Sequence, residues 1–305
     1  MLNTPYATVD SLGDFIATVS KLRKEWSLPN HKELWFRGET KDYGATSLRP
    51  ELYRPHLNEP LRSISNLLRI ENDLHEEFIR NATEFRTSYD DDWDWDAYFL
   101  MQHHEGPTRL LDWTDGALMA MHFALRDKRC DGEDARVFVL EPYRLLKRID
   151  QLDEKKSAAK LWKKFVRQYP NEGWDKDSWD EIYLPVFDKE RKQLSLPACP
   201  CLLDFAHITR RIAAQRSRFM VFGSDPNWVA NEFRKAHSSI RLIVIPKKSR
   251  SQMRQELRDC GITESVIFPD LDGIGREMKQ LWEDRNWHPN RLRRHKRRRV
   301  PGPRR

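Results

Sequence analysis

The chain lacks the signals that would place it in several large classes. No apolar run approaches the ~20 residues that cross a bilayer, so no membrane-spanning helix is expected. The opening MLNTPYATVDSLGDF has neither the basic flank nor the apolar stretch of a secretion signal, and a cytoplasmic location is predicted. Only four cysteines occur, Cys130, Cys199, Cys201 and Cys260, and none forms a CxxC pair. Reduced, mostly buried thiols without a metal are the expectation. Neither G-x-G-x-x-G nor a P-loop is present, which argues against Rossmann and Walker nucleotide domains.

Charge is plentiful but unevenly placed. The net +7 over 305 residues comes from the end of the chain, where ten of the 54 basic residues lie in 285–305 without one acid. The remaining 44 bases face 47 acids, so 1–284 is mildly acidic. The tail, with Arg293, Arg294, Lys296, Arg297, Arg298 and Arg299 at its centre, has the charge to follow a phosphate backbone without reading sequence. Such a run is equally the mark of a disordered, solubilising extension.

With 39% apolar and 33% charged residues, the body can bury a sizeable core beneath a polar surface. Helical periodicity is read over Thr8–Trp26, Ser63–Ser88, Trp228–Ala236, Lys248–Cys260 and Asp272–Trp282. Strands are read at Glu33–Gly38, Thr108–Trp113, Ala135–Leu140, Pro197–Phe205, Phe219–Phe222, Ile240–Ile245 and Val266–Phe268. Residues 142–190 form a helical insertion with an apolar face of Leu161, Trp162 and Phe165. The result is an α+β domain over 1–284 followed by the basic tail.

The densest chemistry lies between Tyr98 and Ala124. A helix ends near His104, because Gly106 and Pro107 cannot both continue it, and a short strand follows. Thr114 or Asp115 caps the next helix, with Leu118, Met121, Ala124 and Leu125 behind it. Gln102, His103, His104, Thr108 and Arg109 gather at one turn, and Asp112, Trp113 and Thr114 at the other. Turns held by a rigid strand are where sites are built. Upstream, the strand Leu34-Trp35-Phe36 stops at Arg37-Gly38, a pair able to hold an anion by side chain and main chain together. A bland reading stands beside this one, in which Arg109 and Asp112 form a structural ion pair and Arg37 ends a surface turn.

The run QHHEGPTRLLDWT, with WFRGE upstream, RRIAAQRSRF at 210–219 and GITESVIFPDLDGIGR at 261–276, resembles the FRG domain, named for a Phe-Arg-Gly motif that Phe36, Arg37 and Gly38 supply. In block order and hydrophobic pattern this family resembles the ADP-ribosyltransferase fold, which implies a split, mostly antiparallel sheet with flanking helices. The resemblance implies that Arg37-Gly38 fills the first block of that fold and Asp112-Trp113-Thr114, followed by Ala120, Phe123 and Ala124, the second. Gln215 stands where the third block would carry a glutamate.

That chemistry uses NAD as substrate. Arg37 or Arg109 would hold its diphosphate, Trp113 would face the nicotinamide and Gly38 would bond its amide. Gln215 would orient a ribose hydroxyl but cannot act as a base, leaving His103, His104 or a distant acid such as Glu232 for that task. The basic tail points to RNA as acceptor, with protein next. The resemblance further implies a toxin or anti-phage defence effector with a neutralising antitoxin or chaperone-type protein as partner. Two other readings remain open: a non-enzymatic nucleic-acid-binding module, and a nucleotide hydrolase using His103 or His104.

Overall fold

The computed structural model describes residues 4–55, 62–82, 93–170, 174–185, 194–203 and 209–283. The six basic residues proposed for the tail fall outside that range. Seven strands, β1 (Ala7–Thr8), β2 (Trp35–Glu39), β3 (Leu110–Thr114), β4 (Ala135–Leu140), β5 (Cys201–Leu203), β6 (Ser217–Val221) and β7 (Ile240–Ile245), form one open sheet in the order β1-β7-β4-β2-β3-β6-β5. Every neighbour is antiparallel except β1 with β7.

The sheet is continuous, where the resemblance implies a split, but its middle is thin. Strands β2 and β3 share a single residue pair, Phe36 with Thr114. Five pairs join β2 to β4 and five join β3 to β6. Beyond Phe36 the two central strands part, and this seam positions the site.

Eleven α-helices flank the sheet among the described residues: α1 (Leu12–Glu25), α2 (Ile64–Ala82), α3 (Trp93–His103), α4 (Ala117–Leu125), α5 (Pro142–Gln151), α6 (Asp153–Gln168), α7 (Arg210–Gln215), α8 (Trp228–Phe233), α9 (Arg250–Asp259), α10 (Glu264–Ile267) and α11 (Leu271–Glu283). Paired strand residues share a face of the sheet, so the register sorts the side chains. On one face Trp35, Leu111, Trp113, Phe138, Leu140 and Leu242 pack with residues of α2, α5 and α8. On the other, Phe36, Val137, Val139, Ile243 and Ile245 lie under α1, α4 and α9.

Further along that second face, Leu110, Phe219 and Val221 form a separate core with Tyr98 and Phe99 of α3 and Ile212 of α7. Asp112, Thr114 and Ser217 occupy the gap between the two cores by the same parity.

The local chemistry explains most elements and corrects some expectations. Ser11 caps α1, its hydroxyl accepting from the Asp14 amide at 3.1 Å, and Ala7–Thr8 pairs with β7 ahead of the helix. Helix α4 has Gly116 at its cap and no side-chain cap bond. Thr114 Oγ1 is otherwise engaged, accepting from Gly116 N and donating to the Gln215 carbonyl at 2.7 Å, and Asp115 pairs with Arg216 and Arg218. Val266–Phe268 is not a strand, since the Phe268 amide donates to the Glu264 carbonyl and closes the turn α10. In the insertion Trp162 and Phe165 are buried with Ala158 and Ile182, whereas Leu161 faces solvent. Cys199 and Cys201 are buried free thiols, but Cys130 is half-buried and Cys260 exposed.

Candidate functional site

The Phe-Arg-Gly triplet is explained by three different packings within one strand. Phe36 sits in the core beneath α4. At Gly38 an added Cβ would lie 2.0 Å from the Ala120 carbonyl oxygen and 2.6 Å from the Ala124 amide, so the glycine lets α4 rest directly on β2. The side of Gly38 toward α4 is therefore closed, while the residue itself lines the cleft beside the seam. Arg37 reaches across the seam, donating from Nη1 to the Asp112 carbonyl at 2.7 Å, and its Nε lies 3.6 Å from Glu39. The guanidinium thus serves a carbonyl that the missing ladder leaves bare. Glu39 in turn accepts from the Leu48 amide at 3.0 Å.

Beside this seam lies a cleft of about 1070 Å³. Arg37, His103, Asp112, Thr114 and Gln215 line it, so segments far apart in the chain meet there. Asp112 is the one exposed position of β3, flanked on both sides by buried residues. The Gln102 amide donates to its carboxylate at 2.7 Å, and the Gln102 carbonyl accepts from the hydroxyl of fully buried Thr108. The first turn of QHHEGPTRLLDWT is therefore a brace that aims the acid in the second turn. The cleft walls withdraw bulk water and lift the Asp112 carboxyl above its ordinary value, against the pull of Arg37 and Gln102.

His103 is half-buried at the end of α3. Burial, with Arg211 and His104 adding repulsion, brings it down to about 4, so it is neutral at pH 7. Gln215 spans two elements of the wall, its amide 3.4 Å from the Ile267 carbonyl.

Two predicted ligand contacts are corrected. Arg109 is 2% exposed and does not line the cleft. It pairs with Glu71 of α2, not with Asp112, and donates to the Phe222 and Tyr183 carbonyls. Its backbone amide also reaches Glu71 at 2.8 Å and the Tyr98 hydroxyl at 3.0 Å. With every side of the fork engaged, Arg109 ties α2, α3, β3 and the loop after β6 together. Trp113 contributes its backbone to the cleft wall, but its ring packs on the opposite face of the sheet, 2% exposed. It offers no stacking surface. Glu232 pairs with Arg148 and Lys235 on α8 and does not line the cleft.

The sequence reading missed the wall opposite Arg37. Glu264, on the turn taken for a strand, is buried and binds three partners: His122 Nε2 at 3.0 Å and the guanidiniums of Arg126 at 2.8 Å and Arg276 at 2.7 Å. Burial alone would raise this carboxyl, but the His122 bond and the guanidiniums outweigh it and hold it down at about 2. Arg126, Arg211 and Arg276 each place the guanidinium carbon 4.4–4.6 Å from the centre of the Phe268 ring. The signal was present, since Arg211 and Arg276 belong to the two later blocks of the resemblance.

Residues 32–133 match the family model of the FRG domain. That stretch carries β2 and β3, both sides of the seam, together with the Gln102 brace. No curated protein and no solved structure matches the chain. No described helix is long and apolar enough to cross a membrane.

Proposed function

We propose that the chain binds NAD in the seam cleft and transfers its ADP-ribosyl group to an RNA or protein acceptor. The observation that supports this most is the Asp112 carboxylate, fixed by Gln102 and Thr108, facing a cleft whose far wall carries guanidiniums. The volume stands just above the ~300–1,000 Å³ of small-molecule sites, ample for a dinucleotide. The order of parts also agrees with the ADP-ribosyltransferase resemblance: an Arg-Gly strand, then Asp-Trp-Thr, then a helix whose Ala120 and Ala124 face that glycine.

In the reaction proposed, the bond from ribose C1′ to the nicotinamide nitrogen breaks and its electron pair leaves with neutral nicotinamide. Positive charge develops at C1′ and the ring oxygen, which a carboxylate close by stabilises. An acceptor hydroxyl or amine forms the new bond to C1′, and its proton passes to Asp112. A carboxyl with a raised pKa is the better base for that transfer. Asp112 thus takes the part that the resemblance assigns to a glutamate at Gln215, and neutral His103 is the weaker second candidate. An activity of this type is that of a toxin or defence effector, and it calls for a neutralising protein partner in the cell that makes it.

Incubating the folded protein with adenylate-labelled NAD, total RNA and total protein tests the reading. Label on a macromolecule and release of nicotinamide are expected. Free ADP-ribose without a labelled acceptor would mean hydrolysis instead, and no nicotinamide release at all would sink the proposal.

A further inference from the structure

Donor accounting separates the three arginines around Phe268. Arg126 and Arg276 both bind Glu264 and are held in place by it. Arg211 makes no hydrogen bond or ion pair among the described residues, and its Nε is buried without a partner. One carboxylate therefore serves two of the three guanidiniums, and the one left over lines the cleft. The nearest additional acid, Asp270, is occupied in part by the Gly273 amide at the start of α11, at 2.7 Å. Burial, with the charges of Arg276 and Arg126, holds the Arg211 guanidinium below its ordinary pKa despite the opposing pull of Asp270 and Glu105.

We infer that Arg126, Arg211 and Arg276 form a diphosphate subsite of the cleft, with Arg211 as the residue that grips the anion. The assignment rests on the dinucleotide reading above and gives the diphosphate a holder, since Arg109 is sealed in the core and Arg37 is tied to the Asp112 carbonyl beside Glu39. A guanidinium offers a planar fork that matches phosphate oxygens two at a time. Phe268 supplies a flat platform that fixes the three forks, and pre-fixed side chains lose less freedom on binding. The position also suits the chemistry. The charge of Arg211 is felt at both Asp112 and His103, placing the subsite beside the proposed base. In NAD the diphosphate is one ribose away from the bond to be broken.

Calorimetric titration of the full chain with ADP-ribose and with inorganic pyrophosphate tests this, using wild type, Arg211→Ala and Arg211→Lys. Arg211→Ala should weaken both ligands about tenfold or more, as loss of charge-assisted hydrogen bonds does. Its melting temperature should change little, because Arg211 has its packing on Phe268 but no hydrogen-bond or ion-pair partner to lose. Arg211→Lys should recover part of the affinity, having the charge without the fork. Equal affinity in wild type and Arg211→Ala would overturn the subsite. So would failure of wild type to bind either ligand, or Arg211-dependent binding of an oligoribonucleotide alone. The two proposals fail separately: diphosphate binding without nicotinamide release refutes the transfer reaction only, and release with an unchanged KM for NAD in Arg211→Ala refutes the subsite only.

Discussion

Two arginine–carboxylate centres stand on either side of β3, and they differ in their accounts of donors. At Glu71 the partner Arg109 is enclosed, and its guanidinium meets one carboxylate and two carbonyls. At Glu264 two guanidiniums share one carboxylate, both reach solvent in part, and a third stands beside them without a partner. The first centre holds α2, α3 and the sheet together; the second is short of an anion and opens on a cleft. An arginine inside a motif is thus no evidence of binding until its donors have been counted.

The contrast breaks most visibly at its sealed end. Glu71→Ala strands a buried guanidinium and should cost about 3–5 kcal/mol in urea denaturation. Glu264→Gln should cost only about 1–2 kcal/mol, since Arg126 and Arg276 can turn to water. Equal losses would erase the distinction.

Acid should dismantle the two centres in turn. Burial brings His75, edge-on to Tyr98 in the sealed centre, down to about 4. Below its unfolded pKa near 6.5 the unfolded chain takes up a proton that the native one refuses, so up to ~3 kcal/mol is lost as pH falls from 6.5 to 4. Glu264, held at about 2, is likewise depressed. Its share, also up to ~3 kcal/mol, is present above about 4.5 and disappears as pH falls toward 2. Urea midpoints measured against pH should show both slopes, and His75→Leu should flatten only the upper one.

The proposed transfer belongs to the open side. Asp112→Asn keeps the Gln102 contact within reach but removes the proposed base, and should lower transfer about 100-fold with little change in melting temperature. Thr108→Val should lower it less, by loosening the brace. The smallest effect concerns the turn itself. Glu105 ends α3 with φ of 65°, a left-handed conformation that favours glycine. Glu105→Gly should add about 0.5–1 kcal/mol of stability, read as a rise in the urea midpoint.

How far the sequence could be read follows from the range of the forces involved. ARVFVL and IRLIVI were readable as strands because both are rich in branched apolar residues and buried along their length. Val266-Ile267-Phe268 misled because three apolar residues cannot distinguish a short strand from one helical turn. Trp113 was misjudged through parity: once Thr114 pairs with Phe36, Asp112 shares that face and Trp113 must point away. Arg109 was misread because its partner Glu71 lies 38 residues earlier, and no local pattern reports that contact. The brace from Thr108 through Gln102 to Asp112 spans only ten residues and was legible as a cluster, though not as a chain of hydrogen bonds. The arginines around Phe268 come from α4, α7 and α11, and only the fold brings them together.

The most direct test is a crystal structure of the full chain with a non-hydrolysable NAD analogue. The account expects the diphosphate within hydrogen-bonding distance of Arg211 and the nicotinamide ribose C1′ turned toward Asp112. An analogue seated elsewhere on the molecule, or a seam cleft still empty at saturating ligand, would contradict it.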